Sequence, residues 1–136
     1  MCVIYIAFHV RRDYPLILLA NRDEYYSRPT ESSHRWPDHP EILAGRDTVS
    51  GGTWLGVTEG GRFAAVTNYR DPNEKKRGTS RGSLVADFLR SKVPAKDFLA
   101  ITRDKAHEFA GFNLIVGEMN VQRNELYYFS NRQGTV

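Results

Sequence analysis

Cysteine is almost missing from this chain: one residue, Cys2, among 136. A single thiol cannot build an internal disulfide framework, which excludes the small disulfide-stapled secreted class and favours a reducing compartment. Long apolar runs are missing too, and none approaches the ~20 residues that cross a bilayer as a helix. The apolar run at the N-terminus is short, has no basic flank and alternates like a strand, unlike a secretory signal. The expectation is a soluble, intracellular, cytoplasmic protein that is not an integral membrane protein.

Excess charge of one sign is scarce. Lys and Arg number 19 against 16 Asp and Glu, a net charge of only +3, so the isoelectric point near 9.1 is weak ground for a nucleic-acid partner. The one dense basic cluster, EKKRGTSRG with Lys75, Lys76, Arg77 and Arg81, reads as a solvated loop. It lacks the aromatic pattern of RNA-binding sheets, helix-turn-helix spacing and zinc-finger spacing, so no nucleic acid is expected. His34 and His39 with Asp38 between them match no familiar metal spacing, and no metal or cofactor is expected.

What is present reads as one α+β domain over residues 1–136. VIYIAF (Val3–Phe8) is β-branched and aromatic, LILLA (Leu16–Ala20) is a buried-strand run, and RRDYP between them is a turn, so the two predict a hairpin. Thr30 to Ser50 is polar, with Pro37, Pro40 and Gly45, and reads as a long irregular loop. GGTWLGVT and RFAAVTNY flank a Gly60–Gly61 turn and predict a second hairpin. Ser83 is placed to cap a helix running to Ser91, with Leu84, Val85, Phe88 and Leu89 on its apolar side. AKDFLAITRDKAHEF predicts a second helix, and GFNLIVGE with ELYYFSN a third hairpin. Strands, two helices, then strands imply antiparallel sheet with helices packed on it.

The position of Cys2 raises a chemical question. Removal of Met1 leaves one residue that carries both a thiol and a free α-amine, a nucleophile and a base together. The amine titrates at roughly 7.7–8.0, so part of it is free base near neutrality. Such a site needs a group to hold the amine, a cation beside the sulfur, and a donor for an oxyanion. The predicted hairpin sets Cys2 beside Asn21, Arg22 and Asp23. Asp23 suits the amine, Arg22 the sulfur, and Asn68 at the end of the second hairpin suits the oxyanion. The alternatives stay open on residues alone: Cys2 as apolar filler, NRDE as a turn with a surface ion pair, Trp54 as core packing or pocket lining.

Several stretches also resemble one family. ANRDEYYSRP from Ala20 resembles the signature of the NRDE family, also called the transport and Golgi organisation protein 2 homologues. MCVIYIAF, GGTWLGV (Gly51–Val57), FAAVTNYRDP (Phe63–Pro72), SRGSLV (Ser80–Val85) and GFNLIVGE (Gly111–Glu118) follow in the family's order. The family is similar in its N-terminal organisation to N-terminal nucleophile hydrolases of the penicillin V acylase and bile salt hydrolase type. The resemblance implies a four-layered αββα sandwich and cleavage of a linear N-acyl amide of a small molecule. Cys2 would be the nucleophile, Asp23 would hold its amine, Arg22 would be the cationic neighbour and Asn68 the oxyanion residue. Asn21, Glu24, Arg28, Trp54 and Tyr69 are the candidates for contacting the ligand. Family members continue past the block containing SNRQG, so the domain is expected to be incomplete at its C-terminus. The second function class is a carrier of haem or lipid linked to secretion and Golgi organisation, with His9 and His107 its nearest ligand candidates. Self-association is open in either case.

Overall fold

The computed structural model describes residues 2–69 and 78–132. Lys75, Lys76 and Arg77 of the basic cluster, and the last four residues of SNRQGTV, lie outside the described residues.

The β-branched and aromatic stretch VIYIAF and the run LILLA do pair. β1 (Val3–Arg11) and β2 (Tyr14–Asn21) form an antiparallel two-stranded ribbon, with Val3 opposite Asn21 and Phe8 opposite Leu16. Six further strands make a second sheet in chain order: β3 (Thr30–Trp36), β4 (His39–Asp47), β5 (Leu55–Thr58), β6 (Arg62–Asn68), β7 (Phe112–Met119) and β8 (Asn124–Ser130). Every neighbouring pair is antiparallel. Two helices, α1 (Gly82–Arg90) and α2 (Ala95–Asp104), are inserted between β6 and β7. The protein is thus mixed, mostly strand, with antiparallel sheets and two helices.

One segment departs from expectation. Residues 30–50 are not an irregular loop; they hold the β3–β4 hairpin, whose turn contains Pro37. The cause is position: β3 is an edge strand of the described sheet and mostly exposed, and edge strands carry polar residues because an apolar edge would recruit other chains. Its few inward side chains carry the packing. Trp36 is fully buried, as are Ile42 and Ala44 of β4.

Strand alternation divides the six-stranded sheet into two faces. Ala64 and Val66 of β6, Phe112, Leu114 and Val116 of β7 and Phe129 of β8 join the core beneath the helices. The apolar side of α1 is the expected one, Leu84, Val85, Phe88 and Leu89. Phe88 is fully buried and meets Phe98 edge-on at 5.1 Å, so truncating it to Ala costs roughly 3–5 kcal/mol. Ser83 does not cap this helix. It lies inside it, and its hydroxyl donates to Ser80 O at 2.8 Å, while Arg81 occupies the cap position and its side chain, instead of capping the helix, donates to Gly111 O at 2.9 Å. The second helix is shorter than AKDFLAITRDKAHEF suggests: α2 ends at Asp104, and Ala106–Glu108 forms a separate 3₁₀ turn.

Two glycines show why GGTWLG and SRGSLV fall where they do. A Cβ on Gly52 would lie 2.6 Å from the carbonyl carbon of Gly82, and one on Gly82 would lie 3.0 Å from Thr53 O. The loop before β5 and the start of α1 therefore touch backbone to backbone, and Thr53 N–H donates to Gly82 O at 3.2 Å. That contact docks α1 on one face of the sheet. The opposite face presents Ala65, Thr67, Asn113, Ile115 and Tyr128, and the start of β1 lies over it.

Candidate functional site: a cleft between ribbon and sheet

The ribbon's first strand and the helix-free face of the sheet enclose a cleft of about 220 Å³. Cys2 and Ile4 line it from the ribbon. Facing them are Ala65 and Thr67 of β6, Asn113 and Ile115 of β7, and Tyr128 of β8. Cys2 is half-buried. Its Sγ accepts the Asp23 backbone N–H at 3.4 Å and lies 3.8 Å from the Asp23 carbonyl, to which the thiol donates. The hairpin register explains this proximity: Val3 pairs with Asn21, so one step beyond the ladder Cys2 meets the residues after β2.

The NRDE residues form a charged bracket around the exit from β2. Glu24 Oε2 lies 3.7 Å from Arg22 Nη2 and 3.9 Å from Arg28 Nη1. Arg28 Nε in turn donates to Asp47 Oδ2 at 3.0 Å, tying the bracket to the end of β4. Asp47 also accepts from Val49 N–H and from the Ser50 hydroxyl. Burial alone would raise the Asp47 carboxyl, but Arg28, the Val49 amide and Ser50 outweigh it and hold it below the ordinary range. These are partly exposed ion pairs whose worth is about 1 kcal/mol or less each; their effect is to fix where the loop lies.

The anticipated site residues divide accordingly. Cys2 and Asp23 are brought together, and Arg22, Glu24 and Arg28 share the adjoining bracket. Asn21 is the last residue of β2 and is exposed. Asn68 is exposed at the end of β6, and on that strand it is Thr67 that lines the cleft. Tyr69 N–H donates to Gly111 O at 2.9 Å. Trp54 packs, partly buried, against the helix-side core. His9 is exposed where β1 bulges and has φ 54, and His107 is exposed in the 3₁₀ turn.

Sequence reasoning missed the polar residues of the cleft floor. Tyr128 OH donates to Asn113 Oδ1 at 2.8 Å, and Asn113 Nδ2 donates to Thr67 Oγ1 at 3.2 Å. The available signal was an Asn in the middle of a sheet, where its propensity is poor. Among the described residues no three of His, Cys, Asp or Glu converge as metal ligands, and no helix is long and apolar enough to cross a membrane.

The fold and cleft define an antiparallel α+β protein with a near-terminal thiol at the rim of a sheet-walled cleft. The chain belongs to the Transport and Golgi organisation 2 family, which it matches over residues 1–136. It is 39% identical over 140 residues to the Transport and Golgi organization protein 2 homolog of Homo sapiens, and 38% identical to that of Bos taurus. Each alignment covers 97% of this chain and 51% of the relative. Transport and Golgi organization protein 2 of Drosophila melanogaster is 32% identical over 98 residues, covering 65% of this chain and 35% of its own. The chain spans about half the length of the mammalian relatives it matches.

Proposed function

We propose that this family member is an N-terminal-cysteine hydrolase of a linear N-acyl amide, built on an αββα plan of which the helix, sheet and ribbon layers are three parts. The observation that carries the reading is the half-buried Cys2 sulfur at the rim of a cleft, held by the backbone of Asp23. Removal of Met1 frees the amine of Cys2. The amine takes the thiol proton as sulfur bonds to the substrate's carbonyl carbon, and the carbonyl π pair moves to oxygen. Collapse of that intermediate breaks the C–N bond, and the proton leaves with the nitrogen as free amine. Water then attacks the thioester, the C–S bond breaks, and the acid departs with the thiol restored. Asp23 holds the ammonium form and Arg22 supplies positive charge nearby.

The test begins with intact mass, using protein that starts at Cys2. Incubation with N-acyl anilides of two to twelve acyl carbons should release aniline, and Cys2→Ser should stop release while circular dichroism stays unchanged. Absence of release across that series, from protein shown to start at Cys2, overturns the hydrolase reading. A carrier of haem or lipid would instead keep its ligand binding in Cys2→Ser.

A further inference from the structure

The floor of the cleft has a direction. Tyr128 donates to the oxygen of the Asn113 amide, and the Asn113 nitrogen donates to the Thr67 hydroxyl. Thr67 and Asn113 are register partners on adjacent strands, so the last two groups of this relay stand side by side. Because the Thr67 oxygen is already an acceptor, its own proton points onward, and the Asn113 nitrogen has a second hydrogen to give. Two neutral donors therefore stand on the wall opposite Cys2. The rest of the lining is Ile4, Ala65 and Ile115. Among the described residues no Lys, Arg, Asp or Glu lines it, so a charged head group set against this wall would lose water without gaining a counter-charge from it.

The geometry points to Thr67 and Asn113 as the groups that bind the carbonyl oxygen of a neutral N-acyl ligand, its acyl chain against Ile4, Ala65 and Ile115. This rests on the hydrolase reading and names its substrate class: a neutral amide with an apolar acyl part, in preference to an N-acyl amino acid or a phosphate. The same two donors strengthen as the carbonyl oxygen gains charge, which is the oxyanion role on this wall. Tyr128 touches no ligand. It is a positioning residue that keeps the Asn113 nitrogen turned toward Thr67.

The experiment uses the Cys2→Ser chain, so that binding is read without turnover, and a matched pair of probes: hexananilide and N-hexylaniline, which lacks the carbonyl. Affinities come from NMR titration. The chain should prefer the amide about tenfold or more, as two hydrogen bonds to one oxygen predict. Thr67→Val and Asn113→Leu should each cut that preference about threefold to tenfold while N-hexylaniline binds as before. Thr67→Ser should restore it, and Tyr128→Phe should lower it through Asn113 alone. An unchanged preference in both Thr67→Val and Asn113→Leu, or no binding of either probe, overturns the assignment. The two readings fail separately. Amine release by the wild-type chain that is insensitive to Thr67→Val and Asn113→Leu sinks this inference and keeps the hydrolase. The predicted binding pattern without any release sinks the hydrolase and keeps the cleft.

Discussion

Asp23 reaches the Cys2 sulfur through its backbone, with its N–H 3.4 Å from Sγ and its carbonyl accepting the thiol at 3.8 Å. The side chain of Asp23 is therefore not what positions the sulfur. A substitution that keeps the peptide group keeps the contact. Asp23→Ala is expected to leave the rate of Cys2 alkylation by iodoacetamide within about twofold of wild type, since thiol access and surroundings persist. Amine release should fall by about 10²-fold, the low end for a group acting through the proton-transferring base. An alkylation rate that drops as steeply as turnover would assign the carboxylate to the sulfur instead.

Arg28 joins two segments that are far apart in sequence, the NRDE bracket and the end of β4. Arg28→Ala should cost only about 1 kcal/mol in global stability, because the pairs are partly exposed. The local effect should be larger. Backbone amides of residues 22–28 should exchange faster in deuterium oxide while those of β6 and β7 do not change. The Asp47 carboxyl, held low in part by Arg28, should titrate at higher pH in the variant, readable by carbon NMR. Its folded value lies below its unfolded one, so its contribution is present above the unfolded value and is lost as pH falls. Arg28→Ala should flatten that acid loss.

Much of this architecture can be read directly from residues, and the exceptions have physical causes. Val3–Phe8 and Leu16–Ala20 declare a hairpin because side chains on both faces are apolar, and that hairpin alone predicts Cys2 beside Asp23. The β3–β4 hairpin hides because an edge strand exposed to water, with Pro37 in its turn, has the composition of a loop. Ser83 misleads because a Ser preceding an apolar periodic run suits a cap by type, whereas Gly82 has already entered the helix to meet Gly52. The cleft floor is hidden for a different reason. Thr67, Asn113 and Tyr128 come from three strands, and only the pairing of Thr67 with Asn113 and of Ile115 with Tyr128 brings them to one face. Asn68 stands out in sequence because it ends a strand, but the alternation of β6 gives the cleft its neighbour.

Asp38 carries the clearest acid sensitivity. Its two oxygens accept from Arg46 Nη1 at 2.7 Å and Nη2 at 2.9 Å. The hydrogen bond from Arg46 is the main reason its carboxyl falls from 3.8 to about 2. Arg46 also lies 4.4 Å above the ring of the fully buried Trp36, so the ion pair steadies a lid on a core side chain. A depressed carboxyl stabilises the fold above its unfolded value and loses that effect as pH falls from near 4 toward 2. Asp38→Asn should lower Tm at pH 7 slightly and show less additional loss between pH 4 and pH 2 than wild type. Parallel Tm curves for the two proteins across that window would remove Asp38 from the acid response.

Arg62 is the charge most deeply committed to the fold. It is 11% exposed, and its Nη1 meets Glu118 Oε1 at 2.8 Å, with Glu118 only 7% exposed. The same guanidinium donates to Phe88 O at 3.2 Å, Ser91 Oγ at 3.2 Å and Val93 O at 2.7 Å, so it closes the end of α1 and the connection to α2. Its plane covers the Phe88 ring at 3.9 Å. Burial pulls the guanidinium below its ordinary value, Glu118 opposes that pull, and Arg123, itself 3.1 Å from Glu118 Oε2, adds to it, so one buried carboxylate answers two cations. Glu118 Oε2 in addition accepts Ala95 N–H at 3.1 Å at the start of α2. Arg62→Ala leaves Glu118 only the more exposed Arg123 as a counter-charge and takes the donor from Val93 O, and should cost about 2–3 kcal/mol, a drop in Tm on the order of 10 °C. Arg62→Ala combined with Glu118→Leu should recover part of the loss, because a buried carboxylate held by a single exposed cation is gone. Recovery should remain incomplete, since Ala95 N–H has lost Glu118 and Val93 O has lost Arg62. A double variant no more stable than Arg62→Ala alone would place the cost in the lost hydrogen bonds at the α1–α2 connection rather than in the buried carboxylate.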